Sequence, residues 1–242
     1  MGGSVQFSRA PIKSRAPRAK SAAGMGFLLA GFLRQRAGAP VQILIVAAGL
    51  LLSPLSSIWS PIVMAIIALA LIQFLDDDWG SLGFRRPAAS PARWITEGTV
   101  VGLLWQFVAL GILVPVLNGL LHRETAPANH AGDWAYYISY VILVGIAHAL
   151  AKGLVYRAFL LSRLEQLFGR TPTGTALAFV IASILFGLGN WYQGYVGVVV
   201  GVTVGAVFNL LFYWSRRNIW PTILAHAVYN SAALTLIFLG RL

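Results

Sequence analysis

Long apolar segments follow one another through most of this chain, from about residue 40 to the last residues. A helix that crosses a bilayer needs about 20 predominantly apolar residues, and 58% of the 242 residues are hydrophobic whereas 10% are charged. A soluble domain does not have that balance. We therefore predict an all-α, polytopic membrane helix bundle with about seven transmembrane spans, at residues 41–59, 61–75, 94–121, 134–157, 173–190, 195–214 and 219–239.

Basic residues are concentrated at the N-terminus. Residues 1–38 contain seven Lys or Arg and no Asp or Glu, which predicts a largely disordered cytoplasmic arm on anionic lipid, with an interfacial helix at 24–36. The transmembrane bundle is then residues 39–242. Because Lys and Arg are enriched in cytoplasmic loops, we expect a multi-pass protein of the bacterial inner membrane with a cytoplasmic N-terminus. This placement explains the net charge of +11 without binding to nucleic acid.

Prolines and polar residues mark the breaks in the pattern. Pro54 and the serine-rich residues 56–60 separate the first two spans, and Pro115 is expected to kink the third. The fourth span is expected to continue as a helix along the surface to Phe168. The second span ends in three adjacent acids with no His or Glu beside them, which favours a solvated helix end over a metal site: Asp76, Asp77 and Asp78.

Three spans also carry polar or ionisable residues at helical spacing. A charged side chain in hydrocarbon costs about 3 kcal/mol, so such residues usually line a cavity or meet a partner. The alternatives are that the long cations reach the membrane surface and that the others form interhelical hydrogen bonds. Together they predict a common pocket open towards the cytoplasm, formed by His148, Lys152, Gly153, Tyr156 and Arg157, by Phe186 and Asn190, and by His226 and Asn230.

These segments resemble the motifs of the CPBP family of intramembrane proteases, which includes the type II CAAX prenyl endopeptidases and Abi-like proteins. The resemblance covers roughly residues 95–235. It rests on Lys152-Gly-Leu-Val-Tyr-Arg157, Ser183-Ile-Leu-Phe186-Gly-Leu-Gly-Asn190 and Ile219-Trp-Pro-Thr-Ile-Leu-Ala-His226-Ala-Val-Tyr-Asn230. It implies a glutamate that activates water, and His and Asn side chains that position the substrate carbonyl, stabilise its oxyanion or hold a metal.

The chain departs from the family pattern at the residues that carry this chemistry. The pattern is Glu-Glu-x-x-x-Arg, Phe-x-x-x-His and His-x-x-x-Asn or Asp. Lys152 stands at the first glutamate, Gly153 at the second and Asn190 at the first histidine. The remaining motif positions match: Arg157, Phe186, His226 and Asn230. Hydrolysis without a nucleophilic side chain needs a base for the water, and a lysine cannot reproduce a carboxylate that accepts two hydrogen bonds.

We therefore predict a catalytically inactive CPBP-family protein, a pseudoenzyme. It would act through protein–protein interaction as an accessory or assembly subunit of a larger membrane complex, or as a ligand-binding scaffold. No cofactor or metal is predicted, although a bound lipid or pigment would suit such a bundle. The alternative is an endopeptidase with altered catalytic residues, using Lys152, His148 and His226.

A buried cation in this position needs a counter-charge. The chain has seven acidic residues, and most lie in loops. Glu97, in the first turn of the third span, is predicted at a depth comparable to that of Lys152, which is placed near the cytoplasmic end of the fourth span. We therefore predict an ion pair between Glu97 and one of the two bases, with Arg157 favoured because its guanidinium binds a carboxylate through two hydrogen bonds.

Overall fold

A computed structural model describes residues 38–51, 59–75, 80, 83–84, 90–121 and 130–242. The basic arm with its interfacial helix at 24–36 lies outside these residues. So do the turn at Pro54, the three adjacent aspartates and most of the loop at 122–133. All regular secondary structure in the described residues is helical, which confirms the predicted fold class.

Seven helices form the described bundle, one for each predicted span; the predicted first span, 41–59, extends too far, because residue 59 already belongs to the second helix. They are α1 (Ala39–Leu51), α2 (Trp59–Leu75), α3 (Pro91–Leu120), α4 (Trp134–Phe168), α5 (Pro172–Leu188), α6 (Gly194–Trp214) and α7 (Ile219–Phe238). A short 3₁₀ turn, Trp191–Gln193, precedes α6. By length and composition, α3, α4, α7 and the segment that contains α6 can each span a membrane.

The other three helices are apolar but shorter. Helix α1 has 13 residues, and α2 and α5 have 17 each. A helix of 17 residues is about 26 Å long, close to the lower limit for crossing the hydrocarbon core.

The two longest helices are interrupted by π-helical segments. In α3 the segment Ala109–Leu113 lies just before Pro115, where the proline lacks the N–H that a regular α-helix would use. The predicted irregularity therefore takes the form of a wider turn, and the helix continues to Leu120. In α4 two π segments, Val141–Ala147 and Leu154–Leu161, flank the α-helical turn His148–Gly153. Such segments often occur at functional sites.

The end of α4 differs from the prediction. We expected residues 158–168 to run along the surface, but Ser162–Glu165 is buried. This part of α4 packs against α1 and α5, which cover it. The prediction of a surface extension is therefore wrong, and it fails because the sequence does not show which helices pack on this turn.

Close backbone contact joins α3 to α7. Gly98 and Gly102 are four residues apart on α3, the spacing that lets membrane helices approach. A Cβ atom at Gly98 would lie 2.8 Å from the carbonyl oxygen of Pro221, and one at Gly102 would lie 2.5 Å from that of Ala225. Dispersion contacts across this interface hold α7, with its motif residues, in place.

Gly102→Ala should therefore force α3 and α7 apart. Over-packing of this kind costs about 1–3 kcal/mol, so the melting temperature in detergent, followed by tryptophan fluorescence, should fall. Gly119→Ala in the same helix is the matched control, because a Cβ atom there meets nothing within 4 Å. Equal melting temperatures for the two variants would contradict the close packing of α3 on α7.

Candidate functional site

The motif-bearing helices α4, α5 and α7 meet around the ring of Phe186. The Tyr156 ring of α4 lies 4.8 Å from it, centroid to centroid, and the His226 ring of α7 lies 5.7 Å from it. All three side chains are buried. The i, i+4 spacing of the motifs therefore does bring these residues of different helices together.

Lys152 is hydrogen-bonded to Asn190, which lies one helical turn after Phe186. Its Nζ donates to Oδ1 of Asn190 at 2.8 Å, and Nδ2 of Asn190 donates to the carbonyl oxygen of Phe186 at 2.7 Å. Lys152 is 7% exposed and lies near the middle of the helix Trp134–Phe168. That central position is why it meets Asn190, in the turn where α5 ends and the chain reverses into α6.

Arg157 is enclosed by two aromatic rings. Its guanidinium carbon lies 4.8 Å from the centroid of Phe186 and 5.5 Å from that of Phe208 on α6. Nη1 donates a long hydrogen bond, 3.5 Å, to the carbonyl oxygen of Lys152. Within the described residues, Nε and Nη2 have no hydrogen-bond partner. The side chain is 1% exposed, so it does not reach the membrane surface.

His226 packs against the same two rings, since its own ring lies 5.5 Å from Phe208. Its Nδ1 has no hydrogen-bond partner among the described residues. Three side chains of α4 lie close enough to act electrostatically on this imidazole: Lys152, Arg157 and His148. His148, predicted as a pocket residue, is itself buried. The centre therefore combines two cations, two imidazoles and the aromatic rings of Tyr156, Phe186 and Phe208.

Sequence reasoning missed the contribution of α6. Phe208 completes the aromatic enclosure, and its neighbour Asn209 is 1% exposed. The Nδ2 of Asn209 donates to the hydroxyl oxygen of Ser183 on α5 at 3.1 Å, while its Oδ1 has no partner in the described part of the chain. A lone asparagine in an apolar span is the signal that would have identified this residue.

Two motif positions have structural roles. Asn230 donates from Nδ2 to the carbonyl oxygen of Val144 at 2.8 Å and so joins α7 to a π segment of α4. Gly153 faces α7, where a Cβ atom would lie 2.7 Å from Cγ1 of Ile223. A side chain at this position therefore requires Ile223 to move.

Two hollows lie beside α3, away from the motif residues. A groove of about 1080 Å³ lies between α3 and α6, and a cavity of about 480 Å³ lies between α3 and α7. No motif residue lines either of them. Arg157 and His226 pack against the rings of Phe186 and Phe208, and the pocket that opens towards the cytoplasm stays a prediction.

The predicted pair between Glu97 and Arg157 is wrong. Glu97 instead binds Arg93, one turn earlier in α3, with Nε and Oε1 2.8 Å apart. Asp133 accepts a hydrogen bond from the backbone N–H of Tyr136 and caps the start of α4. Because an i, i+4 partner is always within reach on a helix, Glu97 needs no contact with α4.

The remaining described side-chain carboxylate, Glu165, is fully buried. It joins α4 to the end of α6 and to the turn before α7. Its two oxygens accept hydrogen bonds from Nη1 and Nη2 of Arg217 at 2.5 and 2.7 Å, and the Tyr213 hydroxyl donates to it at 2.8 Å. The hydrogen bond to Glu165 raises the pKa of Arg217 above its ordinary value, so this arginine stays charged. We missed Glu165 because we placed it on the surface.

No carboxylate among the described residues therefore contacts the two buried cations. Cation–π contacts with Phe186 and Phe208 return about 0.5–2 kcal/mol each, whereas removing an ion from water costs several kcal/mol. The aromatic enclosure lowers this cost, but no carboxylate of the described residues compensates the positive charge. In the same residues there is also no group of three His, Asp or Glu side chains that could hold a metal.

Together these features define a polytopic helical membrane protein with a buried, positively charged centre where α4, α5, α6 and α7 meet. Residues 133–232 match the family model described as type II CAAX prenyl endopeptidase Rce1-like. This part of the chain, which contains every motif position, is similar to the Rce1-like family, and the match confirms the predicted resemblance. No curated protein and no solved structure gives a significant match to the chain.

Glu165→Gln should destabilise the protein, because Arg217 would lose its compensating charge. We expect about 2–3 kcal/mol, less than for a fully buried pair, because the Arg217 side chain is 31% exposed. The matched control is Glu97→Gln: its partner Arg93 is 61% exposed, and loss of such a pair costs about 0.5 kcal/mol. Melting temperatures in detergent measure both, and a larger loss in Glu97→Gln would refute the assignment.

Proposed function

We propose that this protein is a catalytically inactive relative of the CAAX proteases whose helix bundle serves as a ligand-binding scaffold. The observation that carries the proposal is the hydrogen bond from Lys152 to Asn190. In the motif alignment these residues stand at the first glutamate and the first histidine of the family pattern. Two positions expected to carry chemistry are thus occupied by an ammonium and an amide that bind each other.

This pair is unsuited to activating water. A general base must accept a proton from the water, but an ammonium group has donors and no acceptor. Asn190 uses its oxygen to accept from Lys152 and its amide nitrogen to donate to Phe186. Neither residue of the pair therefore supplies a base that could take a proton from water.

The second glutamate position offers no substitute. Gly153 carries no side chain, and the space a Cβ atom would take is bounded by Ile223. The packing of α7 on α4 has thus closed over the site of the second carboxylate. The nearest described acid on α4 is Glu165, about 18 Å along the helix from Gly153 by the α-helical rise, and it is engaged by Arg217.

The proposal extends to location and partners. A Lys- and Arg-rich N-terminus on the cytoplasmic side of a bacterial inner membrane fits the distribution of basic residues. An accessory or assembly role in a larger membrane complex is consistent with a scaffold that keeps the family's packing residues, such as Phe186 and Asn230, without its acids. A lipid or a pigment is the ligand class that the surrounding bilayer supplies.

We expect the purified protein to leave prenylated CAAX-type peptides intact under conditions in which an active family member cleaves them. Mass spectrometry of the peptides measures this. The matched variant is Lys152→Glu with Gly153→Glu, combined with Ile223→Ala to make room for the second carboxylate. Gain of cleavage in this variant would show that the rest of the catalytic arrangement is preserved.

The alternative, an endopeptidase with altered catalytic residues, makes the opposite prediction. Wild-type protein would then cleave the peptide, and His226→Ala would abolish that cleavage. Such a result would sink the proposal of an inactive scaffold.

A further inference from the structure

We propose that the centre around Arg157 is a binding site for an oxyanion, a carboxylate or a phosphate group. This inference names the ligand class of the scaffold and rests on the function proposed above. The site lies between α4, α5, α6 and α7, and its floor is the ring of Phe186. The ligand is either the headgroup of an anionic amphiphile or a free anion of the same chemistry.

The first argument is charge. Lys152 and Arg157 lie over the same ring, with Nζ 5.3 Å and the guanidinium carbon 4.8 Å from the centroid of Phe186. Both are buried, and the carboxylates of the described residues are engaged elsewhere. Two adjacent cations in an apolar surrounding repel each other and favour binding of a negative charge.

The second argument is the shape of the free hydrogen-bonding edge. Of the three guanidinium nitrogens, Nη1 donates to a backbone carbonyl, whereas Nε and Nη2 have no partner in the described part of the chain. These two nitrogens lie on one edge of the planar group and donate in parallel. That arrangement binds two oxygens of one carboxylate or phosphate.

The third argument is that another unpartnered polar atom accompanies this edge. His226 packs against the same two rings as Arg157, and within the described residues its Nδ1 has no hydrogen-bond partner. An imidazole nitrogen that carries a proton donates to an oxyanion. Buried polar atoms are normally satisfied, so this clustering of unsatisfied atoms marks a place for a ligand.

Arg163 shows that a buried arginine of α4 can have a side-chain hydrogen-bond partner. It is 2% exposed and lies over the ring of Phe159, 5.2 Å from its centroid. Its Nη1 nevertheless donates to Oε1 of Gln166 at 3.0 Å. Arg163 is therefore a matched control for Arg157, because the same substitution changes a buried arginine that has a side-chain partner.

The test measures the melting temperature of the delipidated protein in neutral detergent with added anions. The amphiphilic probes are oleate and phosphatidylglycerol, with oleyl alcohol and phosphatidylcholine as neutral counterparts. The free anions are formate and inorganic phosphate, compared with chloride at equal ionic strength. We expect a saturable rise of about 3 °C or more with at least one oxyanion and none with its counterpart.

Arg157→Lys keeps the charge but removes the two-donor edge, so it should abolish the rise. Arg163→Lys should keep it. Equilibrium dialysis of radiolabelled oleate and phosphate against the wild-type protein provides a second measurement if Arg157→Lys does not fold. Absence of saturable binding there, or an equal response in wild type and Arg157→Lys, would overturn the proposal.

The amphiphilic probes and the free anions also distinguish a lipid headgroup from a free ion as the ligand. A response to oleate or phosphatidylglycerol alone assigns a lipid headgroup, and a response to formate or phosphate assigns a free ion. Three carboxylates outside the described residues are tested with Asp76→Asn, Asp77→Asn and Asp78→Asn combined. If that variant gains an anion response that wild type lacks, the counter-charge belongs to the chain and the proposal is wrong.

The peptide assay distinguishes this inference from the proposed function. Peptide cleavage together with an anion response would refute the inactive scaffold and leave the anion site intact. No cleavage together with no anion response would refute the anion site alone.

Discussion

The cost of holding positive charge away from water is the constraint on which the centre of this protein depends. Lys152 and Arg157 sit one turn apart on α4, both buried, and the ring of Phe186 faces both. The same ring contacts His226 of α7. The ring of Phe186 therefore joins α4, α5 and α7 while it stabilises the two cations.

The bundle handles buried charge in two different ways. Near the end of α4, Glu165 is paired with Arg217 and accepts a further bond from Tyr213, so the charges cancel and the junction stabilises the fold. Near the middle of α4, Arg157 has aromatic neighbours but no carboxylate among the described residues. A buried ion pair stabilises the fold, whereas a buried cation without a counter-charge favours the binding of an anionic ligand.

In residues 133–232, which match the Rce1-like family model, aromatic packing around Phe186 brings motif residues of three helices together. The proposal of an inactive scaffold rests on three positions, Lys152, Gly153 and Asn190, which the sequence motifs align with two acids and an imidazole of the family pattern. The lysine and the asparagine bind each other, and the glycine lets Ile223 pack close to α4. These two contacts are the physical basis of the proposed binding scaffold.

The sequence alone determined the helical class, seven segments and the convergence of Lys152, Phe186 and His226, because apolar run length and i, i+4 spacing are local properties of a helix. Only the tertiary structure decided which partners those residues found. Glu97 pairs with Arg93 of its own helix, neighbouring helices cover Glu165, and α6 contributes Phe208 to the centre. These outcomes depend on which helices pack together and on how π segments in α4 rotate its faces, and neither is encoded in the local pattern.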